Sequence, residues 1–387
     1  MFSVFFYNLI PFSATLVIGL FIVLILFVKL IQKTTTRRVL LLFYLVFMLL
    51  YTSFVTDNLT ENFSDFVRIS TVFLLIYCMS DSKISKNIIE ALINNTKLIR
   101  RTSQIVSLIT TVMLIMPSCY AVEASWGENN RYFLGFAPSL HVTASCMCLC
   151  MAMYLFSFQG RKFETREIFF LLSPIIAILQ SGARIYLICA AGILFLYYYF
   201  RLKDKQIKYV LIPLAIIIGG YILLNSNIMN KFLFTQEGYA PSDFSTIDRF
   251  TSGRTVFWMR DIVAFNNSNI IEKLFGHGFT YILSVSGHTG HNDVLHMLLG
   301  IGFIGCSLYV GIFIKAISFS LRKLRCKGFS RAFIVAIGVG LVLYIFSPMI
   351  VNGLFGYQHL LYSIAIMLAY VQCLEHNRKG ADSRELL

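Results

Sequence analysis

Charge is scarce in this sequence. Only 13% of its 387 residues are Asp, Glu, Lys or Arg, while 57% are apolar, and a water-soluble fold of this length could not bury so large an apolar share in one core. A bilayer must therefore be the solvent. The short alternating segments of a membrane barrel are missing too, which leaves helices as the spanning elements. No Lys or Arg precedes Lys29 and no small-residue cleavage pattern marks the start, so the first apolar block reads as a retained helix and not as a secretory signal. The nine cysteines include no paired CxxC, which removes a zinc framework. Cys146, Cys148 and Cys150 share one apolar helix, and only Cys119 approaches the oxidising side outside a span. No disulfide framework follows.

What is present is a series of apolar blocks, near residues 10–31, 39–56, 65–80, 103–121, 138–158, 166–181, 184–200, 208–225, 293–314, 332–350 and 356–374. Each has about the length that a helix needs to cross the hydrocarbon layer. The predicted fold is all-α, a polytopic integral membrane helix bundle of about eleven transmembrane helices. With no internal repeat, residues 1–387 read as a single integral membrane domain. The connections after the first, third, fifth, seventh and ninth blocks, together with the C-terminal tail, carry 25 of the 33 Lys and Arg. By the positive-inside rule they face the cytoplasm, so the N-terminus is periplasmic and the C-terminus cytoplasmic in a bacterial inner membrane. The net charge of +14 then reflects anchoring of the chain on the lipid bilayer, and no nucleic acid partner is implied.

Eight basic residues remain for the outer side: Arg68, Arg131, Arg184, Lys231, Arg249, Arg254, Arg260 and Lys273. Six of the eight are Arg, the side chain suited to gripping phosphate or carboxylate with a planar fork. Arg68 lies just inside the outer end of the third span, and Arg184 stands at the tight turn Gln180-Ser181-Gly182-Ala183. A guanidinium at that depth should face a polar cavity or a bound anion, or else snorkel to the interface. Between the eighth and ninth spans runs a large periplasmic loop, 226–292, rich in Gly, Ser, Asn and Thr, and a loop of that length is expected to be functional. Within it, Trp258, Met259, Ile262 and Phe265 have the spacing of a short helix on the membrane surface, with Arg254 in its first turn after Ser252-Gly253. On the cytoplasmic side, Ile84 to Arg101 reads as an interfacial helix.

The outer mouth of the ninth span carries Gly287-His288-Thr289-Gly290-His291-Asn292-Asp293, with His296 just beyond. Histidine is the side chain best placed to accept a proton near neutral pH. A metal held by His288, His291, Asp293 and His296 matches no strong ligand spacing, so no metal or other cofactor is expected. No carboxylate lies well inside a span, since Glu164 and Glu167 flank a cytoplasmic loop and Asp293 sits at a helix mouth. A flippase or other ion-coupled transporter would therefore have no obvious carrier.

His291-Asn292, nine intervening residues, then Gly302-Phe303-Ile304-Gly305 resembles the signature that closes the large periplasmic loop in bacterial O-antigen ligases and related polymerases. Ser181-Gly182-Ala183-Arg184 before a helix with Gly192, and Ser252-Gly253-Arg254 followed by Leu274-Phe275-Gly276-His277-Gly278, look like that superfamily's two arginines and its Phe-Gly-x-Gly turn. The likeness covers about residues 170–315; elsewhere only the number and hydropathy of the helices agree. The resemblance implies a metal-independent, inverting glycosyltransferase whose donor is an undecaprenyl-pyrophosphate-linked glycan. His291 would be the general base, and Arg184 and Arg254 would hold the pyrophosphate, with Arg68, Arg260, Asn292, Asp293 and His288 in supporting places. Ser-Gly-Arg with Phe-Gly-x-Gly and His-Asn-Asp looks more like a polymerase making O-antigen or capsular polysaccharide than a ligase delivering glycan to lipid A-core. A chain-length regulator and a flippase are the protein partners this would imply.

Overall fold

Apolar runs without regular alternation give helices here, and the computed structural model of the protein is mostly helical, with one two-stranded ribbon among the described residues. It describes residues 36–79, 82–122, 131–158, 165–201, 254–287, 292–324 and 331–343, with scattered positions in 17–28, 219–224 and 360–371. The expected first and eighth spans, the last span, and residues 225–253 of the large loop fall largely or wholly outside these. In order, the described elements are α1 (Thr36–Val55), α2 (Leu59–Met79), α3 (Ser82–Asn94), α4 (Thr96–Ile115), β1 (Tyr120–Val122), β2 (Arg131–Phe133), α5 (Leu140–Phe156), α6 (Phe169–Ser181) and α7 (Arg184–Arg201). They continue with α8 (Arg254–Asn267), α9 (Ile270–Phe275), α10 (Tyr281–Ser286), α11 (Asp293–Leu324) and α12 (Arg331–Gly338), the last running into a π-helical turn at Val339–Leu343. The packing divides the chain into two compact units, one built mainly on 87–252 and the other on 13–86 with 253–322.

The first unit is centred on α5, which packs against α4, α6, α7 and α12. Almost every residue of α5 is buried, including Cys146, Cys148 and Cys150, whose thiols are free. Those cysteines are packing residues, as their place in an apolar helix implies. Ser139 starts the helix by accepting a hydrogen bond from the Val142 N–H at 3.3 Å. Around it, polar side chains act as stitches: Ser107 Oγ donates to the Phe170 carbonyl at 2.5 Å and Ser173 Oγ to the Ser107 carbonyl at 2.7 Å. Arg100 donates to the Ser157 carbonyl at 2.8 Å with its guanidinium 4.4 Å from the Phe158 ring centroid, and the Tyr154 hydroxyl donates to Glu167.

Helix α4 turns most of its hydroxyls inward and several aliphatics outward. Its inner face presents Ser103, Ser107 and Thr110 beside Val106 and Met113, all buried, while Ile105, Leu108, Val112 and Ile115 are exposed. In water the apolar stripe of such a helix turns inward. Small and hydroxylated residues at the helix contact, with branched aliphatics outside, is the arrangement of helices packed in lipid. By length and composition, two of the described helical stretches, Thr96–Ile115 and Asp293–Gly311, would cross a membrane, but non-helical backbone at Gly302 interrupts the second.

The sequence placed an interfacial helix at 84–101 and a span at 103–121, and both are corrected. The break falls at Asn95, and α4 then runs from Thr96 only to Ile115. Pro117 sets that end, because it drives Met116 into an extended conformation, φ −86° and ψ 117°, and no helix continues through it. The chain goes on as a turn and the ribbon, with Tyr120 opposite Phe133 and Val122 opposite Arg131.

The second unit contains α1 and α2 as an antiparallel pair, with α8 to α11. Asn62, fully buried, donates to Thr52 Oγ1 at 3.1 Å and accepts from the Phe279 N–H at 3.5 Å. Thr56 and Thr280 share a hydrogen bond of 2.8 Å, and the Tyr51 hydroxyl donates to the Gly276 carbonyl at 3.0 Å. The loop turn 274–280 is thus fastened to the end of α1.

Helix α11 is not straight. Gly302, inside it, has φ 68° and ψ −173°, values that break a helix. Tyr309 Oη nevertheless reaches Asp293 Oδ2 at 2.8 Å, and Cys306 Sγ reaches the Val294 carbonyl at 3.5 Å. A straight helix would hold the residues of those pairs about 24 and about 18 Å apart. The short limb, 293–301, therefore folds back on the long limb, 303–324. This corrects the expected span over 293–314, whose two ends do not lie on opposite sides of anything. The long limb alone, at about 33 Å, has the length of a crossing.

Candidate active site

Two glycine elements build the floor of the site in the second unit. The N–H of His277 donates to the Leu299 carbonyl at 2.8 Å and that of Gly278 to the Gly300 carbonyl at 3.0 Å. Carbonyls that the bend at Gly302 leaves without helical partners are thereby satisfied. Gly276 and Gly278 hold φ of 86° and 90°, open to glycine and strained for other residues. A side chain on Gly276 would collide with the Gly300 carbonyl, and one on Gly302 with the Leu274 carbonyl. The Phe-Gly-x-Gly turn and the first glycine of Gly-x-x-Gly are two halves of one backbone contact.

Asn292 starts the short limb. Its Oδ1 accepts from the N–H groups of Val294 at 3.0 Å and Leu295 at 3.2 Å, an N-cap. Asp293 is 1% exposed and held by Tyr309, and His296 is buried one turn further on, within electrostatic range of Arg68. His288 and His291 lie outside the described residues, as do Ser252 and Gly253.

Arg254 is the first residue of α8, in the first turn that the spacing of Trp258, Met259, Ile262 and Phe265 implies, and it is half-buried. Arg260, on the same helix, is exposed. Arg68 forms an ion pair with Asp65 at 3.0 Å, one turn away on α2. Its charge thus meets a carboxylate, a partner that the i, i+3 spacing made readable. Arg184 belongs to the first unit, where it opens α7 two residues after Gly182, whose φ of 69° closes α6. His141 and Tyr186 lie in the same unit with ring centroids 6.4 Å apart.

His277, on the glycine turn, invites a nucleophile reading because Ser268 Oγ stands 2.6 Å from its Nε2. The Ser268 hydroxyl also lies 2.9 Å from the Ala264 carbonyl, and the arrangement that satisfies both contacts has the serine donating to that carbonyl and the imidazole N–H donating to the serine, which leaves the hydroxyl unactivated. The ring stacks on Tyr281 with centroids 4.0 Å apart, and Glu272 Oε2 is 3.8 Å from Nε2. Burial pushes the His277 pKa down from 6.5, and Glu272 opposes that shift. The residue ties the end of α8 to the glycine contact.

Sequence reasoning missed Tyr309, Ser268 and Asp65 as partners of the motif residues. No protein-family model matches the chain, and no curated protein matches it.

Proposed function

We propose that this chain is a polytopic inner-membrane glycosyltransferase that polymerises undecaprenyl-pyrophosphate-linked repeat units on the periplasmic face. The observation that carries the reading is the closure of the two glycine elements on each other. Residues that resemble the superfamily's motifs, separated by more than twenty positions, serve one local structure at the far end of the limb that Asn292 begins. The pattern of α4, hydroxyls inward and aliphatics outward, supports a bilayer as solvent.

In this reading His291 takes the proton of an acceptor sugar hydroxyl as its oxygen attacks the anomeric carbon of the donor. The bond from that carbon to the phosphate oxygen breaks with inversion, and the lipid pyrophosphate leaves. Arg184 and Arg254 stabilise the charge that develops on it, work that fixed guanidinium groups do without a metal. Arg254 at a helix N-terminus suits the role, since backbone N–H groups and the helix dipole add to its charge. Two of the carboxylates a coupled transporter could use, Asp65 and Asp293, are engaged by Arg68 and Tyr309.

The test is purified protein in vesicles with the host's lipid-linked oligosaccharide and no other acceptor. A ladder of products is expected. Transfer only after lipid A-core is added would reassign the chain as a ligase, and no transfer under either condition would end the enzyme reading.

A further inference from the structure

Helix α9 belongs to the large loop, yet one side of it is apolar. At about 100° per residue, Ile270, Leu274, Ile271 and Phe275 fall within an arc of about 140°, with Glu272 and Lys273 outside it. The first three of these are exposed, Ile270 at 69%. Both charged side chains turn back on the preceding residues: Glu272 accepts from the Asn269 N–H and Lys273 donates to the Asn266 carbonyl, each at 2.8 Å.

Phe275 sets the height of this patch against α1. Its ring centroid lies 5.3 Å from that of Phe47 and 5.7 Å from that of Tyr51. Those residues stand eight and four positions before Val55, where α1 gives way to Thr56-Asp57-Asn58. The contact is therefore about 6 to 12 Å below the polar end of the helix. Phe43, Leu50 and Phe54 lie within about 60° of Phe47 around the axis, and all three are exposed, Phe54 at 94%. The apolar arc of α9 thus continues the outer face of α1. The backbone that follows suits such a depth. The N–H groups of residues 276–279 donate in turn to the carbonyls of Glu272, Leu299 and Gly300 and to Asn62 Oδ1, and the Gly276 carbonyl accepts from the Tyr51 hydroxyl. Non-helical backbone below a bilayer surface has no water to bond and must find its partners in the protein.

We propose that α9 is inserted in the membrane: Ile270, Ile271 and Leu274 lie among the acyl chains just under the headgroups, in the leaflet at the Val55 end of α1. An amphipathic helix at the interface buries its apolar face by about 5–10 Å, which agrees with the height set by Phe275. The inference rests on the reading of α1 as a lipid-facing span.

The experiment places p-benzoylphenylalanine in the full chain in place of Ile271, Leu274, Lys273 or Leu50, one at a time. Each protein is irradiated in vesicles of dioleoyl phosphatidylethanolamine and phosphatidylglycerol, and mass spectrometry of the intact chain reads the added lipid. Adducts are expected at 271 and 274 in the yield found at 50, with their loss at 273. An adduct at 50 that is missing from 271 or 274 would overturn the inference and leave the spanning reading in place. Cross-links from 271 or 274 to a second copy of the chain, or equal lipid adduct at 273, would overturn it in the same way. No adduct at 50 overturns both.

Discussion

Gly276 and Gly302 each stand where the opposing segment's carbonyl needs room, Gly276 against Gly300 and Gly302 against Leu274. Both also hold positive φ, 86° and 68°. An alanine at either site meets backbone, which cannot move aside as a side-chain tip would. Gly276→Ala and Gly302→Ala should each destabilise the second unit by about 1–3 kcal/mol. The double variant should cost less than the sum, because one contact is lost and not two. Thermal unfolding in detergent measures both.

The exposed face of α4 separates water from lipid as its solvent. Ile105, at the middle of Thr96–Ile115, is 51% exposed, and Ile105→Lys on the surface of a soluble protein would be nearly neutral. In a bilayer the same change costs about 2.5–3.5 kcal/mol near a helix centre on insertion scales. We expect a loss of membrane-inserted protein, read by fractionation and carbonate extraction. Full yield of soluble or inserted protein would argue against a lipid-facing Ile105.

Under the transferase reading, variants at the arginines and the histidine separate charge from geometry. His291→Ala should leave the protein inserted and stop chain growth; wild-type glycan lengths from that variant would refute the base assignment. Arg184→Lys keeps the charge and loses the planar fork. Product length on a gel should therefore collapse with Lys at 184, and an active variant would leave Arg184 as a charge anchor only.

His277 gives a pH dependence with a definite sign. Burial holds its folded pKa below the ordinary value of 6.5, so the neutral ring is favoured in the folded protein. The associated stability is present above pH 6.5 and is lost as the pH falls from there through the folded pKa. The apparent Tm should drop over that window, and His277→Gln, which can still donate to Ser268, should flatten the drop. An identical pH profile for both proteins would remove His277 from the contact.

Hydropathy located α1, α2, α5, α6 and α7 to within a few residues at most ends, because length and apolar content decide where lipid-facing helices run. It failed where one backbone angle decides. Pro117 sits in an apolar run and ends α4 through its effect on Met116. Gly302 sits in another and folds α11. Neither residue alters the mean hydropathy enough to be noticed. Arg254 was legible at its helix start because the spacing of Trp258, Met259, Ile262 and Phe265 fixes the phase. Tyr309 was not, since a partner sixteen positions from Asp293 becomes a neighbour only once the bend is known.

The folded-back limb makes α11 its own neighbour. Asp293 lies abreast of Tyr309, about 10 Å along the long limb from the bend. One residue inserted between Gly302 and Tyr309 would turn that hydroxyl by about 100° around the helix axis and away from its carboxylate. The number of residues from 293 to 309 is therefore as much a determinant of the fold as their identity.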